Sequence, residues 1–290
     1  MISTPFFFHL LNGLLMVGMP LALVVTLTRR FHSGWRLVWI GAATFLISQA
    51  GHIPFNTLVT HLFQVGVLPK PPASWVPYFN PIFLGLSAGL FEELARTAVY
   101  AWWARDARTW RKGVLFGAGH GGAEAVILGG LALYSLIQMV ALRHADLSKL
   151  VPPDQLSLAQ HQVSAYWSMP WYTTLLGALE RVFAIPLQIT LAVIVLQAFI
   201  RRQPAWVGLA ILLHALVDAL AVYLPVVWRG APWSTLAVEG VVGAFSVLGV
   251  ILLVFLCRSE PRASPEVGKA LPPTQPLIGD AADRSHNDQA

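Results

Sequence analysis

Seven polar residues stand inside stretches that are otherwise strongly apolar, at spacings that could support acid–base chemistry: Glu92, Glu93 and Arg96, then His120 and Glu124, then His214 and Asp218. Glu92 with Arg96, His120 with Glu124, and His214 with Asp218 are each four residues apart, which on a helix sets both side chains of a pair on one face. Carboxylates, imidazoles and a guanidinium held together can take a proton from water and stabilise the charge that develops on a carbonyl oxygen, the two requirements of peptide hydrolysis. The same set permits a second route, because Glu92, His120 and His214 could form a three-ligand site for a divalent metal such as zinc, with a fourth position open to water. HExxH, which would favour zinc, is absent. Covalent routes lack candidates: there is no GxSxG, no paired aspartates, and Cys257 sits at the end of the last apolar run. Glu180 and Arg181 add a fourth polar pair, with Pro186 close enough to break the helix beside the site.

Plainer readings exist for these residues. A buried Glu92–Arg96 pair could be a structural ion pair, Glu180 and Arg181 point about 100° apart and could serve different helices, and Glu239 reads as a rim residue. His52 and Asn56 repeat the four-residue spacing but read as an interhelical hydrogen bond. For the main set the cost of burial decides. A charge at the centre of a bilayer costs about 2.5 to 3.5 kcal/mol on insertion scales, so such groups face a bundle interior and mark function.

The elements carrying them must be membrane-crossing helices. Of 290 residues, 56% are apolar and 11% charged, with a mean hydropathy of +0.62. This composition predicts an all-α polytopic membrane protein in which about seven segments reach the roughly 20 apolar residues needed to span a bilayer. They are 5–28, 35–63, 75–103, 113–142, 167–200, 205–228 and 233–257. Of 19 lysines and arginines, 13 follow the odd-numbered segments and 4 lie in the alternate loops; the two remaining, Arg96 and Arg181, lie within spans. That asymmetry places the N-terminus outside and the C-terminus in the cytoplasm. It also explains the net charge of +5 without a nucleic-acid partner. Trp35, Trp103, Trp110 and Trp206 fall at inner ends, and Trp75, Trp167, Trp171, Trp228 and Trp233 at outer ends, as an aromatic belt requires.

The N-terminal run reads as a retained anchor, 144–168 as an interfacial segment, and 258–290 as a disordered cytoplasmic tail behind a single bundle, 1–257. Counting 1.5 Å per residue from the cytoplasmic ends puts Glu92 about 16 to 18 Å deep, His120 about 10 Å, Glu124 about 16 Å, His214 about 14 Å and Asp218 about 20 Å. The expectation is one wet layer shared by the third, fourth and sixth spans. A small residue at every fourth position from Gly113 through Gly117, Gly121 and Ala125 to Gly129 lets a neighbouring helix approach that layer closely.

The motifs FEELAR, FxxxH (Phe116 and His120 in FGAGHGGAEA) and HALVD resemble those of the CPBP superfamily of intramembrane proteases, which includes CAAX prenyl endopeptidases and bacteriocin-processing proteins. Through EExxR, GxGHGGxEA and the later GALER, the chain is most similar to the YhfC branch. The likeness covers 85–219. It departs in spacing, since the common superfamily form is EExxxR, and in Asp218, where asparagine often stands. The resemblance implies a CPBP-like helical bundle in a bacterial cell membrane, with Glu92 as general base and His120 orienting the water. It further implies that Glu93 and Arg96 order the site, and that His214 and Asp218 stabilise the oxyanion. The substrate would be a membrane-embedded or membrane-proximal peptide, with the enzyme of glutamic or metallo type. Two other classes compete: a proton-coupled carrier, for which rows of acids and histidines also serve, and a non-catalytic scaffold on the same fold.

Overall fold

The computed structural model describes residues 3–231 and 233–259, so nearly all of the segment read as a cytoplasmic tail, 258–290, lies outside the described residues. Among the described residues nine α-helices run in chain order: α1 (Thr4–Arg30), α2 (Arg36–Gln64), α3 (Val76–Trp102), α4 (Trp110–Leu142), α5 (Leu156–Ser168), α6 (Trp171–Thr174), α7 (Leu176–Ile200), α8 (Ala205–Val227) and α9 (Ser234–Arg258). No strand occurs among the described residues. Six segments among the described residues are long and apolar enough to cross a membrane: α1, α2, α4, α6 together with α7, α8 and α9. α3 matches them in length at 27 residues, but Asn80, Glu92, Glu93 and Arg96 make it more polar. These are the groups its burial between α2, α7 and α8 must accommodate.

α4 and α7 form the centre of the bundle. α4 packs on α1, α2 and α7, while α7 also meets α3, α8 and α9. Their buried runs, Val114 to Ala118 on α4 and Leu191 to Leu196 on α7, face each other in a core shared with Tyr100, Ala104 and Ala210. Close approach depends on residues without side chains. A Cβ on Gly119 would collide with the backbone carbonyl of Val38, and one on Gly41 with that of Phe116, so α2 and α4 touch backbone to backbone. On α3, Gly85 and Gly89 abut the carbonyls of Ala215 and Ile211 on α8 in the same way. The four-residue ladder of α4 divides between two neighbours: Gly113, Gly117 and Gly121 face α7, while Gly129 faces Met16 and Val17 of α1.

Pro186 does not break α7, which runs unbroken from Leu176 to Ile200. Thr190 Oγ1 instead donates to the Pro186 carbonyl at 2.9 Å, and the helix is held on several sides by α4, α8 and α9. The segment read as a single fifth span from residue 167 starts later, because Pro170 separates α5 from α6. α5 has no buried residue and is tied to α1 by the His9 ring, which stacks on Tyr166 at 3.8 Å between centroids.

At the opposite end of the bundle the loop between α3 and α4 is fastened by charge. Arg108 donates to the carbonyl of Tyr100 in the last turn of α3, as cations do at helix C-termini, and to those of Ala104 and Ala107 in the loop. Asp106 accepts from Arg36 at 2.9 Å and Lys112 at 3.2 Å, and these cations hold its carboxyl down at about 2.

Candidate active site

Glu92 is the hub of a cluster drawn from five helices. Its Oε2 lies 3.0 Å from His120 Nε2, 3.3 Å from Arg96 Nη2, 3.4 Å from Gln188 Nε2 and 3.9 Å from His214 Nε2. Its Oε1 accepts from Gln49 Nε2 at 3.0 Å. α2, α3, α4, α7 and α8 therefore all reach one carboxylate, although its side chain is only 7% exposed.

Glu93 points to the adjoining side. Its Oε1 accepts from Arg96 Nη1 at 2.5 Å and from His214 Nδ1 at 2.7 Å. Because Nδ1 is used on Glu93, the other ring nitrogen of His214 is fixed toward Glu92 and toward Asp218 Oδ2, 3.6 Å away. A carboxylate that sets the orientation and tautomer of an imidazole in this manner is a recurring device of hydrolytic sites. His120 is fully buried, presents Nε2 to Glu92, and is steadied by the edge of Phe45 at 5.4 Å. Phe116 is fully buried and packs against Tyr100 at 4.7 Å, one helical turn from Arg96.

A second layer continues outward along α7. Gln188 receives Arg96 Nη2 on its carbonyl oxygen and donates to Glu124 Oε2 at 2.9 Å. Glu124 is also held by Arg181 Nη1 at 2.6 Å, and Arg181 pairs with Glu180. His120 and Glu124 share one face of α4, yet the first serves the Glu92 centre and the second this outer layer.

Sequence reading had passed over Gln49 and Gln188, which the fold inserts between the charged groups. A glutamine inside an apolar span was the available signal, since an amide in lipid needs partners as a charge does. His52 also belongs to this network. It bridges Gln49 Oε1 at 3.4 Å, Ser87 Oγ at 3.0 Å and Asn56 at 2.9 Å, so the polar chain runs from Glu92 along α2.

Among the described residues, no three His, Cys, Asp or Glu side chains are arranged to hold a metal ion. The set Glu92, His120 and His214 fails for a visible reason. The permanent positive charge of Arg96 lies 3.3 Å from the Glu92 oxygen that a dication would need; the Nδ1 bond of His214 to Glu93 leaves its Nε2 free and is no obstacle to a metal.

A family model described as YhfC intramembrane metalloprotease matches residues 14–241. The chain belongs to the YhfC family. The Bacillus subtilis (strain 168) protein named uncharacterized membrane protein YhfC is 31% identical over 249 residues, 85% of this chain and 94% of its own length. No solved structure matches. The helices and this relative together make the YhfC chain an integral membrane protein. The matched region contains every residue of the Glu92 cluster. The family's description as a metalloprotease and the donor arrangement of this chain point in different directions.

Proposed function

We propose that this YhfC protein is an intramembrane endopeptidase in which Glu92 activates a water molecule directly. One observation carries the reading: a buried carboxylate contacted by two imidazoles, a guanidinium and two amides, contributed by helices up to 165 positions apart in sequence, from Gln49 to His214. Such a convergence costs desolvation of every member, which a structural ion pair between neighbours on one helix would not require.

In this mechanism Glu92 removes a proton from water while His120 Nε2 directs the oxygen. The hydroxide adds to the scissile carbonyl, and His214, acting as an imidazolium whose Nδ1–H is held by Glu93, donates its Nε2–H to the oxyanion. Glu92 then returns the proton to the leaving amine as the C–N bond breaks. Arg96 holds the Glu92 and Glu93 carboxylates in place. Substrates are peptides embedded in or lying against the bilayer, and the end of the bundle bearing Arg36, Arg108 and Lys112 faces the cytoplasm.

Cleavage of a reporter peptide by protein reconstituted in lipid tests this. Glu92→Gln should abolish hydrolysis while the protein still folds, and chelators should leave the wild-type rate unaltered. Retained cleavage in Glu92→Gln removes the assigned base; loss on chelation, restored by zinc, replaces this mechanism with a metal-dependent one.

A further inference from the structure

Two cavities between α7, α8 and α9 meet end to end. The first, about 270 Å³, is lined by Ser234, Thr235 and Glu239 of α9 and Pro225 of α8. The second, about 70 Å³, ends on Gln188, His214 and Asp218. Glu180, Ala221 and Val242 line both. At about 30 Å³ per molecule of liquid, even the smaller has room for roughly two waters.

Side-chain exposure falls along this path, from 45% at Glu180 and 41% at Asp218 to 19% at Glu124 and 4% at His214; Glu92, 7% exposed, lies just beyond the lining, 3.4 Å from Gln188. Asp218 lies near the middle of α8. A carboxylate open to its surroundings at that depth is sustained by water and not by lipid. Glu239 Oε2, at the wide end, has no hydrogen-bond partner among the described residues, and buried acceptors are as a rule satisfied by protein or solvent. The lining residues advance from the start of α9 and the end of α8 toward the basic end of the bundle, so the cleft opens on the end remote from Arg36 and Arg108.

We propose that this cleft is the hydrated entry through which water reaches the Glu92 centre, with Ala221 at its neck. The proposal rests on the hydrolytic reading for its purpose but not for its existence, and the test separates the two. Single cysteines are placed at Ala184→Cys, Ala221→Cys and Val238→Cys in a Cys257→Ala background, with Leu212→Cys and Ile251→Cys as controls on outward surfaces of the same helices. The variants are held in lipid nanodiscs and treated with a charged methanethiosulfonate. Only a hydrated thiol ionises and reacts, so the cleft positions should label at least about tenfold faster than the controls.

Adding Ala221→Phe to Ala184→Cys should slow labelling by a similar factor, and in the native background it should slow hydrolysis. Ala221→Leu, a smaller plug, should give an intermediate rate if folding limits the larger one. Equal rates at cleft and control positions, or labelling at Ala184→Cys indifferent to both plugs, would overturn the entry. Fast labelling in a protein that cleaves no peptide upholds the cleft and removes the peptidase reading.

Discussion

His214 Nδ1 donates to Glu93 Oε1 at 2.7 Å across the interface of α3 and α8, while the same oxygen accepts from Arg96 at 2.5 Å. Glu93 is fully buried, so this carboxylate is committed to holding an arginine and an imidazole in place. Glu93→Gln keeps the shape and removes the charge. The expected result is a fall in kcat of at least about 100-fold, toward the ~10⁴ that losing an imidazole-orienting carboxylate costs in serine hydrolases. KM should change little. Steady-state kinetics on the reconstituted protein read this, and an unaltered kcat would show that His214 needs no such partner.

Gln188 and Gln49 are the neutral links of the cluster, and each should behave differently when replaced by leucine. Gln188→Leu strips partners from Arg96, Glu92 and Glu124 together, and each unsatisfied buried group costs about 1 to 3 kcal/mol. Both melting temperature and rate should drop. Gln49→Leu uncovers only Glu92 Oε1 and the His52 contact, so the rate should fall about tenfold, the equivalent of one such lost bond, with a smaller change in stability. Equal effects from the two would contradict a bridging role for Gln188.

Glycine positions on the same helix predict opposite outcomes. Gly119→Ala drives a methyl into the backbone of Val38, and such overpacking costs about 1 to 3 kcal/mol. Gly130→Ala has nothing within 4 Å to meet and should be neutral or stabilising by roughly 0.5 to 1 kcal/mol, the helix cost of glycine. Thermal unfolding in detergent distinguishes them, and a neutral Gly119→Ala would mean that α2 and α4 are not packed backbone to backbone.

Asp106 offers a pH test away from the cluster. Its carboxyl is held down at about 2, chiefly by the hydrogen bond from Arg36 and then by Lys112. A depressed folded-state value means that the stabilisation is fully present above the ordinary aspartate value near 3.8 and is lost as pH falls through about 2. The side chain is 52% exposed, so solvent screening keeps the contribution below about 1 kcal/mol. Wild type should melt slightly above Asp106→Asn at neutral pH, and the difference should close near pH 2. A gap that widens on acidification would reverse the assigned sign.

The membrane-crossing helices were largely legible in the sequence, though not the break at Pro170 that delays the fifth, because a bilayer imposes a minimum length and an apolar composition on whatever crosses it. Arginine and lysine clusters, tryptophans at span ends and the small-residue ladder on α4 marked the elements from local pattern alone. The four-residue spacings also identified which faces of α3, α4 and α8 were polar. Tertiary structure decided how those faces were paired. Spacing allied His120 with Glu124, yet packing gives His120 to Glu92 of α3 and Glu124 to Arg181 and Gln188 of α7. Pro186 suggested a broken helix, but neighbours on several sides keep α7 continuous. The places of Gln49, Gln188 and His52, and the cleft behind Asp218, depend on contacts between residues distant in the chain, and helical periodicity within one segment carries no information about them.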